Sequence, residues 1–305
     1  MKPLKIVFFR SDKTRERIVA DAFVAGVNTQ GDQGSIISDS DSKRLSARET
    51  DIEVAVTMGI SRGAKRSFEE FLAAGRHAIY VDKGLTRQGD DKFGNRMPKY
   101  YRVSVDAFQA TEYFMKKDRP PDRWKALGVD LEPWRKTGEN VLVAGGSEKY
   151  SFWHEHEGGA TGWAWRVIEE IRKYTKRPII YRPKPSWSEA VPIKGTQFSR
   201  PPVGLRQELE NCWALITFGS NAAVTAVRLG VPVFVLGDGL AKPMGLSDLS
   251  KIEEPYYPPD KERRKWANCL AYAQFSLDEM ANGTAWKVLK EEVVSTSANA
   301  RGKDD

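Results

Sequence analysis

Three short runs combine residue types suited to holding a phosphate. Gly145-Gly146-Ser147 follows the apolar stretch Asn140–Ala144, and Gly219-Ser220-Asn221 follows Ala214–Thr217. Glycine lets a backbone come close to a ligand. Ser220 or Asn221 can cap the helix expected after the turn, whose free N–H groups sit at the positive end of its dipole. Between the two turns lies Arg182-Pro183-Lys184-Pro185, in which two prolines stiffen a loop carrying two cations. Gly146, Ser147, Arg182, Lys184, Gly219, Ser220 and Asn221 together could neutralise a diphosphate leaving group, a metal-independent route for a nucleotide-sugar donor. A transfer also needs a base. Asp82, directly after the apolar run His77–Val81, could take the proton of an acceptor hydroxyl, with Asp12 after Lys5–Phe9 in reserve.

Other chemistry is poorly represented. His154-Glu155-His156 has metal-pair spacing only in an extended segment, His77 is remote, and no Cys or Asp cluster completes a ligand set, so no metal is expected. A contact from one of these rings to the donor phosphate is the better expectation. The chain lacks a GK[ST] phosphate loop, a GxGxxG after its first strand and a GxSxG, which argues against kinase, dehydrogenase and serine-hydrolase activities.

These residues require strand-end positions. Cys212–Gly237 reads as one strand–turn–helix–strand unit, with a helix C-cap at Gly230 and an extended restart at Val231-Pro232. So short a connection between buried strands implies a parallel pair with a right-handed crossover. Upstream, strands are expected at Lys5–Phe9, Glu53–Met58 and His77–Val81, with helices at Thr14–Val27 (facing inward with Ile18, Val19, Ala22, Phe23 and Gly26) and Ser67–Ala74. Asn28–Ser46 and Leu205–Glu210 read as polar loops, and Leu85–Val105 as a long basic, tyrosine-bearing segment closed by strand-like KYYRVSV. Asn140–Ala144 and Pro178–Tyr181 restart the strand pattern, Trp163–Tyr174 is an amphipathic helix, and Asp260–Leu270 and Ser276–Leu289 are closing helices. The expected architecture is α/β with two Rossmann-like domains facing across a cleft: residues 1–137 for the acceptor, 138–294 for the nucleotide sugar, and a disordered polar tail at 295–305.

The 305 residues carry a formal charge of +7 and a sequence pI near 9.2, which favours an anionic partner. Lys83, Arg87, Arg96, Tyr101 and Arg102 suit contact with a nucleic-acid backbone and stacking on a base. The two cysteines, Cys212 and Cys269, fit a reducing cytoplasm better than a disulfide framework. No apolar run approaches the ~20 residues of a membrane span, and that of the N-terminus is too short for a signal peptide.

RPKP at Arg182–Pro185 with ITFGSNAAVTAVRLGVPVFVLG at Ile216–Gly237 resembles the donor half of GT-B glycosyltransferases, in particular a capsule-type branch with an RPHP-like loop and a serine-rich turn. Here Lys184 replaces the histidine and Ser220-Asn221 the two serines. HAIYVDKGLTR at His77–Arg87 is similar to a segment of bacteriophage DNA glucosyltransferases whose aspartate acts as base toward a hydroxymethyl group on duplex DNA. The resemblance implies a GT-B fold, an inverting direct displacement, a UDP-sugar as co-substrate, Asp82 as base and double-stranded DNA with a hydroxymethylated pyrimidine as acceptor. A polysaccharide or small-molecule acceptor is the alternative. A non-catalytic protein binding nucleic acid or sugar nucleotides and a sugar-nucleotide epimerase stand behind it.

Overall fold

The computed structural model describes residues 2–38, 41, 46–59, 61–85, 99–109 and 114–301. Its contacts divide the chain into two compact units, Met1–Ala110 with Tyr272–Asp305, and Thr111–Ala271. The division thus falls before the proline-rich run 118–138, not after it, because that run is hydrogen-bonded into the second unit. Glu132 N–H donates to Arg228 O (2.8 Å), Arg135 N–H to Gly230 O (2.8 Å) and Trp134 Nε1 to Pro258 O (2.8 Å).

The first unit is built on a sheet of β1 (Lys5–Arg10), β2 (Gln33–Ser38), β3 (Val54–Met58), β4 (His77–Lys83), β5 (Tyr101–Val105) and β11 (Gln274–Phe275), in the order β11-β5-β4-β3-β1-β2. β1 to β4 are parallel and buried nearly throughout apart from β2, as their continuous apolar runs require, whereas β5 runs antiparallel to β4. β2 lies inside the expected loop 28–46. Its sequence, QGSIIS, is glycine- and serine-rich because it is only partly buried and pairs with β1 alone.

Helix α1 (Thr14–Thr29) buries Val19, Ala20, Phe23, Gly26 and Val27, with Phe23 edge-on to Phe8 at 5.9 Å. Ile18, expected inside, is exposed. α2 (Arg62–Ala73), capped by Ser61, begins before the expected Ser67. The C-terminal segment returns to this unit through β11, α9 (Leu277–Ala281) and α10 (Thr284–Arg301). The single helix expected at Ser276–Leu289 is broken at Asn282-Gly283, where Gly283 adopts φ +85°. Helix α10 also continues through most of the polar segment 295–305 expected to be disordered. Asp32 anchors it, accepting from Trp286 Nε1 and Lys290 Nζ, each at 2.7 Å.

The second unit carries α3 (Asp122–Leu127), β6 (Asn140–Ala144), α4 (Glu148–Trp153), α5 (Gly159–Ile171), β7 (Ile179–Arg182), β8 (Gln197–Phe198), α6 (Leu205–Leu209), β9 (Cys212–Thr217), α7 (Asn221–Arg228), β10 (Val233–Val235) and α8 (Asp260–Ala271). Its five strands are all parallel, in the order β10-β9-β6-β7-β8. The expected loop 205–210 contains the short helix α6, which ends on the buried Leu209. Val143, Ile168, Tyr181, Ile216 and Phe234 belong to the apolar core beside this sheet. Strand order reverses between β6 and β9, so their carboxyl ends border the crevice in which open α/β sheets take ligands. Among the described residues, no helix is long and apolar enough to cross a membrane.

Candidate functional site

The carboxyl ends of β6 and β9 carry the two glycine turns side by side, since Ala144 is in register with Thr217. Thr217 Oγ1 donates to Ala144 O (2.8 Å) and accepts from Ser220 N–H (3.3 Å), fixing the second turn against the first strand. Ser220 is the N-cap of α7, its hydroxyl accepting from Ala222 N–H at 3.2 Å, and Asn221 opens the helix. Gly219 is a matter of space. A Cβ there would stand 1.9 Å from Asp238 O, so any side chain would push apart the turns that follow β9 and β10.

The Arg182–Pro185 loop joins the same edge through its backbone. Gly145 N–H donates to Arg182 O (2.9 Å) and Lys184 N–H to Gly146 O (3.4 Å). Gly146 packs against the Tyr150 ring, and Ser147 is the N-cap residue of α4 without a side-chain capping bond. Gly146, Ser147, Lys184, Gly219, Ser220 and Asn221 are thus gathered at one sheet edge, with Lys184 exposed.

Arg182 is gathered there by its backbone only. Its guanidinium is buried, Nη1 donating to Glu208 Oε2 (2.7 Å), Ser199 Oγ (2.9 Å) and Val203 O (3.1 Å). A buried guanidinium requires such a partner set. The geometry therefore makes Arg182 a brace between β7 and α6, and of the loop's two cations Lys184 is the exposed one.

Sequence reasoning singled out His154 and His156 but missed the Phe218 and Tyr150 rings that pack with them beside the second turn. Phe218 stands 4.4 Å from the His156 ring and 4.9 Å from the His154 ring, and Tyr150 stands 4.4 Å from His154. The only signals were an aromatic directly after β9 and another three residues beyond Ser147. Burial, followed by the Arg166 charge, holds the His156 imidazole below its ordinary pKa and so in its neutral form at pH 7. The start of α5 is closed to a ligand anion by Glu148, whose Oε1 accepts from Ala160 N–H (3.1 Å). Among the described residues, no group of three or more His, Cys, Asp or Glu could hold a metal ion.

In the first unit Asp82 lies within β4 and not beyond its end. It is in register with Arg102 of β5, whose Nη2 donates to Asp82 Oδ2 at 3.3 Å. Tyr80 OH also donates to that oxygen (3.3 Å), and Lys83 N–H to Oδ1 (2.7 Å). The carboxylate keeps 29% side-chain exposure, so it is oriented yet reachable. Asp12 follows β1, where strand order reverses in this sheet, with 99% side-chain exposure and Arg10 Nη1 at 3.5 Å.

The residues expected to contact DNA separate. Lys83 is exposed at the end of β4, and Arg87 and Arg96 lie outside the described residues. Tyr101 and Arg102 are in β5 and buried. Arg102 donates to Gln109 and lies over the Tyr80 and Phe108 rings at 5.3 and 5.1 Å, so its guanidinium is engaged within the unit; the strand expected to close the segment at KYYRVSV is β5.

No protein-family model matches the chain, and no curated protein does. Among solved structures it is similar to Thermosulfurimonas dismutans KpsC, beta Kdo 2,4 transferase, at TM-score 0.51 and 9% identity, over 90% of this chain and 93% of that one. It also matches the beta Kdo 2,7 transferase of the same KpsC (TM-score 0.49, 10% identity, 92% and 98% covered). A third match is UDP-GlcNAc 2-epimerase from Neisseria meningitidis bound to UDP-GlcNAc (TM-score 0.32, 11% identity, 96% and 100% covered). At such identity the likeness is one of fold: the chain has the α/β, GT-B type of architecture, built of two Rossmann-like units.

Proposed function

We propose that this protein is a glycosyltransferase that moves a sugar from a nucleotide-diphosphate sugar, a UDP-sugar foremost, to an acceptor hydroxyl, with inversion and without an obligatory metal. One observation carries the reading. Two glycine turns flank the order-reversal point of an all-parallel sheet, and a loop bearing the exposed Lys184 is tied to one of them through Gly146 O. In the proposed step Asp82 takes the proton of the acceptor hydroxyl. The acceptor oxygen bonds to the anomeric carbon as the carbon–oxygen bond to the diphosphate breaks. Lys184 and the amides of Gly219–Asn221 receive the leaving charge. The neutral His156 ring, on Phe218, lines the same edge.

For the acceptor, the net charge of +7 and the exposed Lys83, with Arg87 and Arg96 beyond it in sequence, favour duplex DNA, and the resemblance at His77–Arg87 is what suggests a hydroxymethylated pyrimidine flipped out of its stack. The burial of Tyr101 and Arg102 favours a second reading, a polysaccharide or small-molecule acceptor. Release of nucleoside diphosphate from a panel of nucleotide sugars separates them, run with plain duplex, hydroxymethylpyrimidine duplex, saccharides and no acceptor. Release with the modified duplex alone supports the DNA acceptor, and release with saccharides alone supports the second reading. Donor interconversion without acceptor assigns an epimerase, and no binding of any nucleotide sugar overturns the proposal.

A further inference from the structure

The space that a side chain would take at Gly146 and at Gly219 is bounded in both cases by the same residue. A Cβ built on Gly146 would have Tyr150 Cδ1 at 2.7 Å, Cγ at 3.2 Å and Cβ at 3.3 Å as its three nearest atoms. A Cβ on Gly219 would have the Tyr150 hydroxyl oxygen at 3.0 Å, in addition to Asp238 O. Cβ and Cγ are the root of the tyrosine side chain and cannot swing aside as a side-chain tip can. Tyr150 therefore spans the interval between the two turns, its root against Gly146 and its hydroxyl against Gly219.

The ring is held in that place from both sides. Tyr150 belongs to α4, three residues beyond Ser147, and its carbonyl accepts from His154 N–H at 3.1 Å. The His154 ring lies 4.4 Å from the Tyr150 ring, and Phe218, the residue before Gly219, meets it edge-on at 6.4 Å and 77°. The hydroxyl oxygen is buried. Beneath the ring, the register of Ala144 with Thr217 and the bond from Thr217 Oγ1 to Ala144 O fix where β6 and β9 end. Tyr150 is packed between the turns that follow those ends. A rigid ring with few rotatable bonds suits a spacer, because little freedom is lost in holding it still.

Each turn carries one part of the group proposed to receive the leaving diphosphate. Gly146 O accepts from Lys184 N–H (3.4 Å), so the Lys184 loop follows the first turn. Gly219 leads directly into Ser220 and Asn221, where α7 starts. A cation and a set of amides neutralise one anion only when their separation matches it, and a misplacement of about 1 Å forfeits much of the effect. The missing side chain at Gly146 thus makes room for Tyr150, whereas a glycine in such a turn is ordinarily read as room for a ligand.

We infer that Tyr150 is a positioning residue of the donor edge: its ring sets the separation between the Lys184 loop and the Gly219–Asn221 amides, so that both meet the same diphosphate. This role rests on the reading of that edge as the site of a nucleotide-diphosphate sugar; the packing of Tyr150 against Gly146 does not.

The test is a double-mutant cycle of Gly146→Ala and Tyr150→Ala in the whole protein, read by calorimetric titration. UDP, GDP and dTDP are the probes, each beside its monophosphate. Each single variant should weaken diphosphate binding about tenfold or more, and the double variant little further than Tyr150→Ala, because the added methyl then meets no ring. Monophosphate, which can engage only one of the two parts, should lose less. Tyr150→Phe keeps the spacer and should recover most of the affinity lost in Tyr150→Ala. Should Tyr150→Ala not fold, Gly146→Ala and Tyr150→Phe still give the split between diphosphate and monophosphate. Equal costs of Gly146→Ala with and without the ring would mean that the glycine serves the ligand directly, and would overturn the role. Equal losses for mono- and diphosphate, or a Tyr150→Phe as weak as Tyr150→Ala, would overturn it too. A parent that binds none of the diphosphates overturns the reading of the edge itself, whereas a parent that binds without coupling overturns only the role of Tyr150.

Discussion

Asp82 and Arg182 show how the same residue types take different roles through their partners. Asp82 retains exposed surface while Tyr80, Lys83 and Arg102 fix its orientation, which suits a base that must meet a substrate. Asp82→Asn should lower kcat by about 10²–10⁴-fold while leaving nucleotide-sugar binding intact, measured by turnover beside calorimetric titration. Arg182 is the opposite case, with side-chain exposures of 9% for it and 6% for Glu208. Removing one member of a buried pair leaves an unmatched charge, so Glu208→Ala should destabilise the protein by about 3–5 kcal/mol in denaturant unfolding. A role of Arg182 confined to phosphate binding would instead leave stability unchanged in Glu208→Ala.

At the scale of elements, helix contacts hold the C-terminal segment on the first unit. A Cβ on Gly26 of α1 would stand 1.8 Å from Met280 O of α9, a backbone atom that cannot swing aside. Gly26→Ala should therefore separate the helices and destabilise by about 1–3 kcal/mol, seen as a lower unfolding midpoint. Asp32 secures α10 on the same unit. Burial raises its pKa, but hydrogen bonds from Lys290, Trp286 and the Leu4 N–H outweigh this and hold its carboxyl below the ordinary value. A depressed folded pKa contributes stability that is fully present above the unfolded value of about 3.9 and is lost as pH falls through the folded one. Asp32→Asn should thus be less stable than the parent by about 1–3 kcal/mol near pH 7, with the gap closing below about pH 4 in pH-dependent melting. A gap independent of pH would exclude the ionised carboxylate as its cause.

For the whole molecule, the charge of +7 acts at long range on an anionic partner. With a DNA acceptor, duplex affinity should fall by orders of magnitude between about 50 and 200 mM salt, the slope of log affinity against log salt counting the phosphates engaged. Fluorescence anisotropy over a salt series measures it; a flat response would favour the saccharide acceptor. The GT-B type architecture is compatible with either, because a fold does not by itself set function, which lies in local residues.

The sequence by itself determined the parallel strands and the second turn. Buried parallel strands need unbroken apolar runs such as KIVFF, EVAVT and ALIT, and a glycine–serine pair can mark a helix start with no help from distant residues. Gly146, Ser147, Gly219, Ser220 and Asn221 were legible for that reason. Only the tertiary structure decided which polar side chains were already engaged. That Arg182 meets Glu208, that Arg102 and Tyr101 lie inside a sheet, that β2 hides in a glycine- and serine-rich stretch and that β11 returns to β5 depend on partners far along the chain. A cation's role is set by the nearest anion in space, and local residue spacing carries no record of it.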